Sequence, residues 1–226
     1  MHNEGLRGLV NGASSLDFGF PVLAEAKRLA LVHTPYERRK IVETLLLFDA
    51  QLANIALSQG EPMLKQIKLA WWREETSREP EAGAMAGHPL AARIVNANEW
   101  SAKSKKSLVD AWEQVATEQG RARNAAQTLG EARAMAFCEV TGQTSSPAIE
   151  VASNLWAQFD LSSASFAVAP AVPNDEFDIP MRLPKALRTL AILAGLSRRA
   201  LRYGYSDLLA GRTAPLAALR LGIIGR

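Results

Sequence analysis

Cysteine, histidine and aromatic residues are all scarce in this chain of 226 residues. Cys138 is the only cysteine, which excludes an internal disulfide and a thiolate metal cluster. The histidines His2, His33 and His88 stand far apart and lack the i,i+4 spacing of a histidine metal site. The sequence therefore predicts a reducing, cytoplasmic location and no metal bound by cysteine or histidine.

Long apolar runs and phosphate-binding loops are missing too. The most apolar stretch, residues 187–196, is about half the length of a membrane-spanning helix and contains Arg188 and Thr189. Neither Gly-x-x-x-x-Gly-Lys nor Gly-x-Gly-x-x-Gly occurs in the chain. We expect no transmembrane helix and no nucleotide-binding loop. Residues 1–20 are rich in glycine and serine, which predicts a flexible N-terminus before a single domain at 21–226.

Positive charge is concentrated at the C-terminal end. Residues 182–226 contain nine Lys and Arg against one acid, Asp207, so this segment carries +8 while the whole chain carries +3. A solvated helix face is one explanation, and an anionic partner such as a membrane surface or a diphosphate is the other. Nucleic acid is not expected as a partner, because the only aromatic residues among these charges are Tyr203 and Tyr205.

Apolar residues recur at helical spacing through most of the chain. The clearest stripe lies between Thr34-Pro35, the expected N-cap and first helical residue, and Gly60, the expected end. Its members, four, three, four and three residues apart, are Ile41, Leu45, Phe48, Leu52 and Ile55. No stretch alternates with a period of two for long enough to indicate a sheet. We predict an all-α protein of about seven to nine helices.

A second helix is predicted to start at Glu61-Pro62. Its expected apolar stripe consists of Leu64, Ile67 and Trp71. Trp71 and Trp72 are adjacent and point about 100° apart, so at least one of them should lie in the core.

Several short sequences in these two helices match a known pattern. They are Glu37-Arg38-Arg39, Leu46-Leu47-Phe48, Asp49-x-Gln51-Leu52-Ala53, Glu61-Pro62-Met63 and Ile67-Lys68-Leu69-Ala70-Trp71-Trp72-Arg73-Glu74. On these residues the chain resembles the squalene/phytoene synthase superfamily. It is most similar to the branch without Asp-rich motifs that includes a mitochondrial complex I assembly factor. The resemblance implies an isoprenoid-synthase-like helical bundle, shortened in its second half.

Enzymes of that superfamily join two prenyl diphosphates, and two Asp-rich motifs hold the magnesium ions that neutralise the diphosphate. The positions that match the first motif are Ala53, Asn54 and Leu57, none of which is a carboxylate. The helix expected to carry the second motif offers only Asp160. Because Mg²⁺ requires oxygen ligands, the resemblance implies no catalytic residues, no metal site and no cofactor. Magnesium would be needed only if the chain were an active enzyme.

The leading hypothesis is a non-catalytic member that binds a partner protein, as an assembly factor does, or an isoprenoid-like ligand. The basic C-terminus would attach it peripherally to the anionic inner face of the membrane. An active prenyltransferase with a diverged site, around Asp49, Lys68, Arg73 and Asp160, is the alternative. A third option is a structural interaction domain whose cavity has filled. The candidate ligand-binding residues are Asp49, Gln51, Asn54, Lys68, Trp72, Arg73 and Asp160.

Simpler structural roles remain open for the same residues. Asp49 and Gln51 lie beside the Phe48 stripe, where a partly buried, hydrogen-bonded polar pair is the ordinary explanation. Arg73 is followed by two glutamates, as is common at a solvated helix end, whereas a diphosphate contact is the functional alternative.

Overall fold

Nine α-helices and no β-strand make up the part of the chain that the computed structural model describes, residues 21–78, 88–117, 122–163 and 182–224. The all-α prediction is therefore confirmed. The helices are α1 (Glu25–Val32), α2 (Tyr36–Leu57), α3 (Pro62–Ser77), α4 (Pro89–Val95), α5 (Ala102–Thr117), α6 (Ala122–Thr141), α7 (Pro147–Ser163), α8 (Arg188–Tyr203) and α9 (Ala214–Ile224). A 3₁₀ turn, Lys185–Leu187, leads into α8. The predicted flexible N-terminus, 1–20, lies outside the described residues, as does most of the segment where the second half was expected to be shortened.

Helix α2 lies against five other helices and forms the centre of the fold. It contacts α1, α3, α4, α5 and α6. Its predicted apolar stripe is confirmed, because Leu45, Phe48, Leu52 and Ile55 are buried and Ile41 is partly buried against the core. The Phe48 ring packs against Trp72 of α3 at a centroid distance of 5.3 Å. The core is thus assembled around one face of α2 and the large aromatic residues that meet it.

The two ends of α2 differ from the prediction. The helix begins at Tyr36 with Pro35 as its N-cap, so Thr34 does not cap it. Instead, the buried Thr34 hydroxyl forms a hydrogen bond with the hydroxyl of Thr189 in α8, because α8 packs over this connection. At the other end the helix stops at Leu57, three residues before Gly60.

The predicted apolar stripe of α3 is wrong. Leu64 is 42% exposed and Ile67 is 51% exposed, whereas Leu69 and Trp72 are fully buried. The large Trp72 ring determines which face turns inward, since it fills the space between Phe48 and His88. The outer face of α3 consequently presents apolar side chains to solvent.

Helices α6 and α7 pack very closely. A Cβ added at Gly130 of α6 would lie 2.8 Å from the Cα atom of Asn154 in α7. This spacing, possible only for glycine, brings the inner faces of α6 and α7 together beside α2. None of the described helices is long and apolar enough to cross a membrane.

Candidate functional site

A buried ion pair joins α2 to α6 inside the bundle. Nε of Arg133 donates to Oδ1 of Asp49 at 3.0 Å, and Nη2 donates to Oδ2 at 2.9 Å. Both side chains are 1% exposed. The pairing is bidentate, which is the strongest geometry for a guanidinium and a carboxylate.

The same guanidinium also binds the carboxylate that α7 contributes. Nη2 of Arg133 donates to Oδ2 of Asp160 at 2.6 Å. Asp160 is 17% exposed, so it lies at the edge of the buried cluster. Arg133 thus bridges the two acids that the sequence analysis had singled out as isolated.

Two further donors complete the surroundings of Asp49. The indole Nε1 of Trp112 in α5 donates to Oδ1 at 3.0 Å, and Nζ of Lys27 in α1 donates to Oδ2 at 3.3 Å. Each carboxylate oxygen therefore accepts two hydrogen bonds. With Lys27 and Arg133 opposite Asp49 and Asp160, the formal charges of the cluster cancel.

Trp156 of α7 lies against both cations. The Arg133 Cζ atom is 3.7 Å from the centroid of the Trp156 ring, and Nζ of Lys27 is 5.2 Å from the same ring. These cation–π contacts stabilise charges that have left water. We call Lys27, Asp49, Trp112, Arg133, Trp156 and Asp160 the interior cluster.

Asp49 and Arg133 keep their charges despite burial. Burial by itself raises the pKa of Asp49, but the charges of Arg133 and Lys27, with hydrogen bonds from Arg133 and Trp112, hold that pKa below its ordinary value. For Arg133, burial lowers the pKa, yet Asp49 and Asp160 together raise it. The two residues consequently remain an ionised pair at neutral pH.

The interior cluster does not fit a magnesium site. Among the residues that the structure describes, no three His, Cys, Asp or Glu side chains are placed to hold a metal ion. The Asp49 oxygens already accept four hydrogen bonds, three of them from cationic groups. A divalent ion would have to displace Arg133 and Lys27 and would then face only two carboxylates.

The other predicted ligand-binding residues differ in their exposure. Gln51 is buried in α2, and Asn54 is exposed. Lys68 is partly buried on α3, and Trp72 is a core residue. Two of the seven candidates, Asp49 and Asp160, share Arg133 as a partner.

Arg73 holds α3 to α5 and does not turn toward the interior cluster. Its Nε donates to Asp110 at 2.9 Å, and Nη2 forms a further ion pair with Glu113. The side chain is 31% exposed. Arg73 therefore links α3 to α5 at the surface, because its guanidinium pairs with two acids of the neighbouring helix.

The sequence analysis missed Lys27, Trp112, Arg133 and Trp156. A signal for Arg133 was available, because it stands in the middle of the apolar stripe of α6. The other members of that stripe, with spacings of three and four residues, are Ala126, Leu129, Phe137 and Val140, all buried. A charge at the centre of an apolar stripe predicts a buried partner.

A separate cleft of about 370 Å³ opens between α1, α2 and α4. It is largely apolar, with three arginines among its lining residues, which include Val22, Leu31, Leu47, Arg28, Arg39 and Arg93. Arg93 is paired with Glu43 at 2.8 Å, and Arg39 donates to two backbone carbonyls. Glu43 also lines the cleft and offsets the charge of Arg93, so the remaining positive charge, on Arg28 and Arg39, is what suits an amphipathic anion.

Comparison of the chain with protein-family models, with curated proteins and with solved structures finds no match. The resemblance to the squalene/phytoene synthase superfamily therefore stays a prediction.

Proposed function

We propose that this protein is a non-catalytic, squalene/phytoene-synthase-like protein that acts by binding through its surface. One observation carries the proposal: Arg133 binds both Asp49 and Asp160, the two acids that the resemblance places near the Asp-rich motifs of the enzymes. If the resemblance holds, a guanidinium occupies the place where the enzymes require metal ions.

Electrostatics argues against ionisation of a prenyl diphosphate in this interior. Departure of a diphosphate needs a surplus of positive charge, which magnesium supplies when several carboxylates hold it. In the interior cluster two acids already match two cations, and the Asp49 carboxylate is 1% exposed. Neither a metal ion nor a diphosphate could reach it without breaking the buried pair.

The packing argues against an isoprenoid chain in the same place. Phe48, Trp72, Trp112 and Trp156, each at most 1% exposed, occupy the interior around α2. A partner protein at the surface is therefore better supported than an isoprenoid-like ligand in the interior. An isoprenoid-like anion would instead bind in the cleft between α1, α2 and α4.

The catalytic alternative is tested by incubating the full-length protein with Mg²⁺ and farnesyl or geranylgeranyl diphosphate. We expect no pyrophosphate release above that of heat-treated protein, while an active phytoene synthase in parallel gives a positive signal. Magnesium-dependent release that Asp160→Asn abolishes would overturn the proposal. Asp160 is the better variant for this purpose than Asp49, because it lies at the edge of the cluster and its replacement is less disruptive.

The ligand alternative is tested by thermal unfolding with farnesyl diphosphate and no metal. A ligand that binds only the folded protein raises the Tm with concentration. We expect no saturable rise. A rise that Leu31→Glu removes would place an isoprenoid ligand in the surface cleft, and a rise that this variant leaves intact would place it at another site.

A further inference from the structure

Helix α9 turns its large apolar side chains outward. Leu216 is 66% exposed, Leu219 is 50% exposed and Ile223 is 67% exposed. Their spacing of three and four residues places them on one face. The face that meets the protein carries Ala214 and Ala218, which are fully buried, and the partly buried Leu221.

Close contacts hold α9 in this orientation. A Cβ at Gly195 of α8 would lie 2.4 Å from Cδ1 of Leu221. A Cβ at Gly222 would lie 2.3 Å from the ring of His33, at the end of α1. Since glycine at each contact allows α9 to sit this close, rotation of the helix to bury its outer face would create clashes at both contacts.

The charge around this outer face is of one sign. Helix α9 contains Arg220 and no acid, and Arg212 precedes it. The described residues 182–224 contain eight Lys and Arg against the single acid Asp207. At the end of α8, Arg202 and Tyr203 are both exposed. Exposed apolar side chains beside arginines suit an anionic lipid surface, because the acyl boundary accepts the apolar side chains and the headgroup phosphates attract the positive charge.

We propose that α9 is the element through which this protein docks on an anionic lipid surface. Leu216, Leu219 and Ile223 enter the boundary between headgroups and acyl chains, while Arg212 and Arg220 meet lipid phosphates. The inference deepens the proposed function by naming its partner surface. Lipid is favoured over an acidic protein because one helix face offers apolar insertion and positive charge together.

A matched control exists elsewhere on the molecule. The outer face of α3 exposes Met63 (71%) and Ile67 (51%), so it is comparably apolar. Charges of both signs surround it: Glu61 and Glu74 are exposed, and Lys65 and Lys68 are partly buried. If apolar exposure alone caused lipid binding, α3 would contribute as much as α9.

The experiment is co-sedimentation of the full chain with vesicles of phosphatidylcholine, with or without 30% phosphatidylglycerol (about 0.3 mole fraction, enough to give a negative surface potential). We expect binding to the anionic vesicles that weakens as salt is raised. The triple variant Leu216→Ser/Leu219→Ser/Ile223→Ser should lose it. Arg212→Gln should weaken it by about fivefold, and Met63→Ser/Ile67→Ser should bind like wild type.

Three results would overturn the proposal: no binding to anionic vesicles, unchanged binding by the triple variant, or equal loss in the α3 variant. The first result together with capture of an acidic protein would assign the α9 face to that partner. Because the replaced apolar side chains are at least half exposed and Arg212 is exposed, circular dichroism should show every variant folded. The vesicle assay contains no prenyl diphosphate, so its failure and the failure of the proposed function are distinguishable.

Discussion

Arg133 and Asp49 lie 84 positions apart in the chain and meet through two hydrogen bonds of 3.0 and 2.9 Å. The pair links α6 to α2, and Asp160 of α7 joins it through the same guanidinium. Three helices are therefore tied at one buried point. The contribution of these contacts to the free energy of unfolding can be measured.

Replacement of Arg133 by Met should destabilise the protein by about 3–5 kcal/mol, because the Asp49 charge would stay buried beside Lys27 alone. Urea unfolding followed by tryptophan fluorescence measures the change. The matched control is Arg73→Met, which breaks partly exposed pairs with Asp110 and Glu113 and should cost less than about 1 kcal/mol. Equal losses of unfolding free energy in the two variants would show that burial does not strengthen the Arg133–Asp49 pair.

The pH dependence of stability should depend on Asp49. Its pKa in the folded protein lies below the ordinary value of 3.8, so the ion pair contributes its full stability above that value. The contribution is lost as the pH falls through the folded pKa, since the unfolded state then binds more protons. Asp49→Asn should be less stable than wild type at neutral pH, and its disadvantage should shrink below about pH 4. Urea unfolding at several pH values tests this. A constant difference between the two proteins would contradict it.

The indole hydrogen bond to Asp49 should contribute more than an indole bond to a neutral acceptor. Trp112→Phe removes the donor to the carboxylate, at a cost of about 1.5–3 kcal/mol for that bond. Trp100→Phe removes a buried bond to the Ser104 hydroxyl, also 3.0 Å long, at about 0.5–1.5 kcal/mol. Both variants lose the same ring volume, and each ring lies near one cation, Arg133 at 5.4 Å from Trp112 and Lys105 at 6.0 Å from Trp100. The charge of the acceptor is therefore the main difference between the two sites. A larger loss of unfolding free energy in Trp100→Phe than in Trp112→Phe would contradict this prediction.

Gly130→Ala should destabilise the α6–α7 packing by about 1–3 kcal/mol, although alanine is the better helix former. The added Cβ would lie 2.8 Å from the backbone of Asn154, so one helix must shift. Gly60→Ala provides the control, because its Cβ would meet only Ser58 at 3.6 Å. Thermal unfolding of the two variants should separate them clearly. A neutral effect at Gly130 would mean that the helices have room to separate.

Local spacing in the sequence predicted some features of this structure correctly and others incorrectly. The Phe48 stripe was predicted correctly because a three-four repeat identifies a helix face wherever that helix packs. The same method chose the wrong face of α3, since Leu64 and Ile67 repeat equally well but Trp72 fills the core. Thr34 was assigned to cap α2 for the same local reason, and its hydroxyl binds Thr189, 155 positions away.

The sequence by itself determined that this protein is helical, where its main helices lie, that its basic charge gathers at one end, and that its acids are too few for an Asp-rich motif. These properties depend on composition and short-range spacing, which every segment carries with it. Only the tertiary structure decided that Arg133 neutralises Asp49 and Asp160, and that α9 turns Leu216 and Leu219 outward. Such outcomes depend on which distant residues the helix crossings bring within hydrogen-bonding distance, and on how closely small residues such as Gly130 and Gly222 let those helices approach.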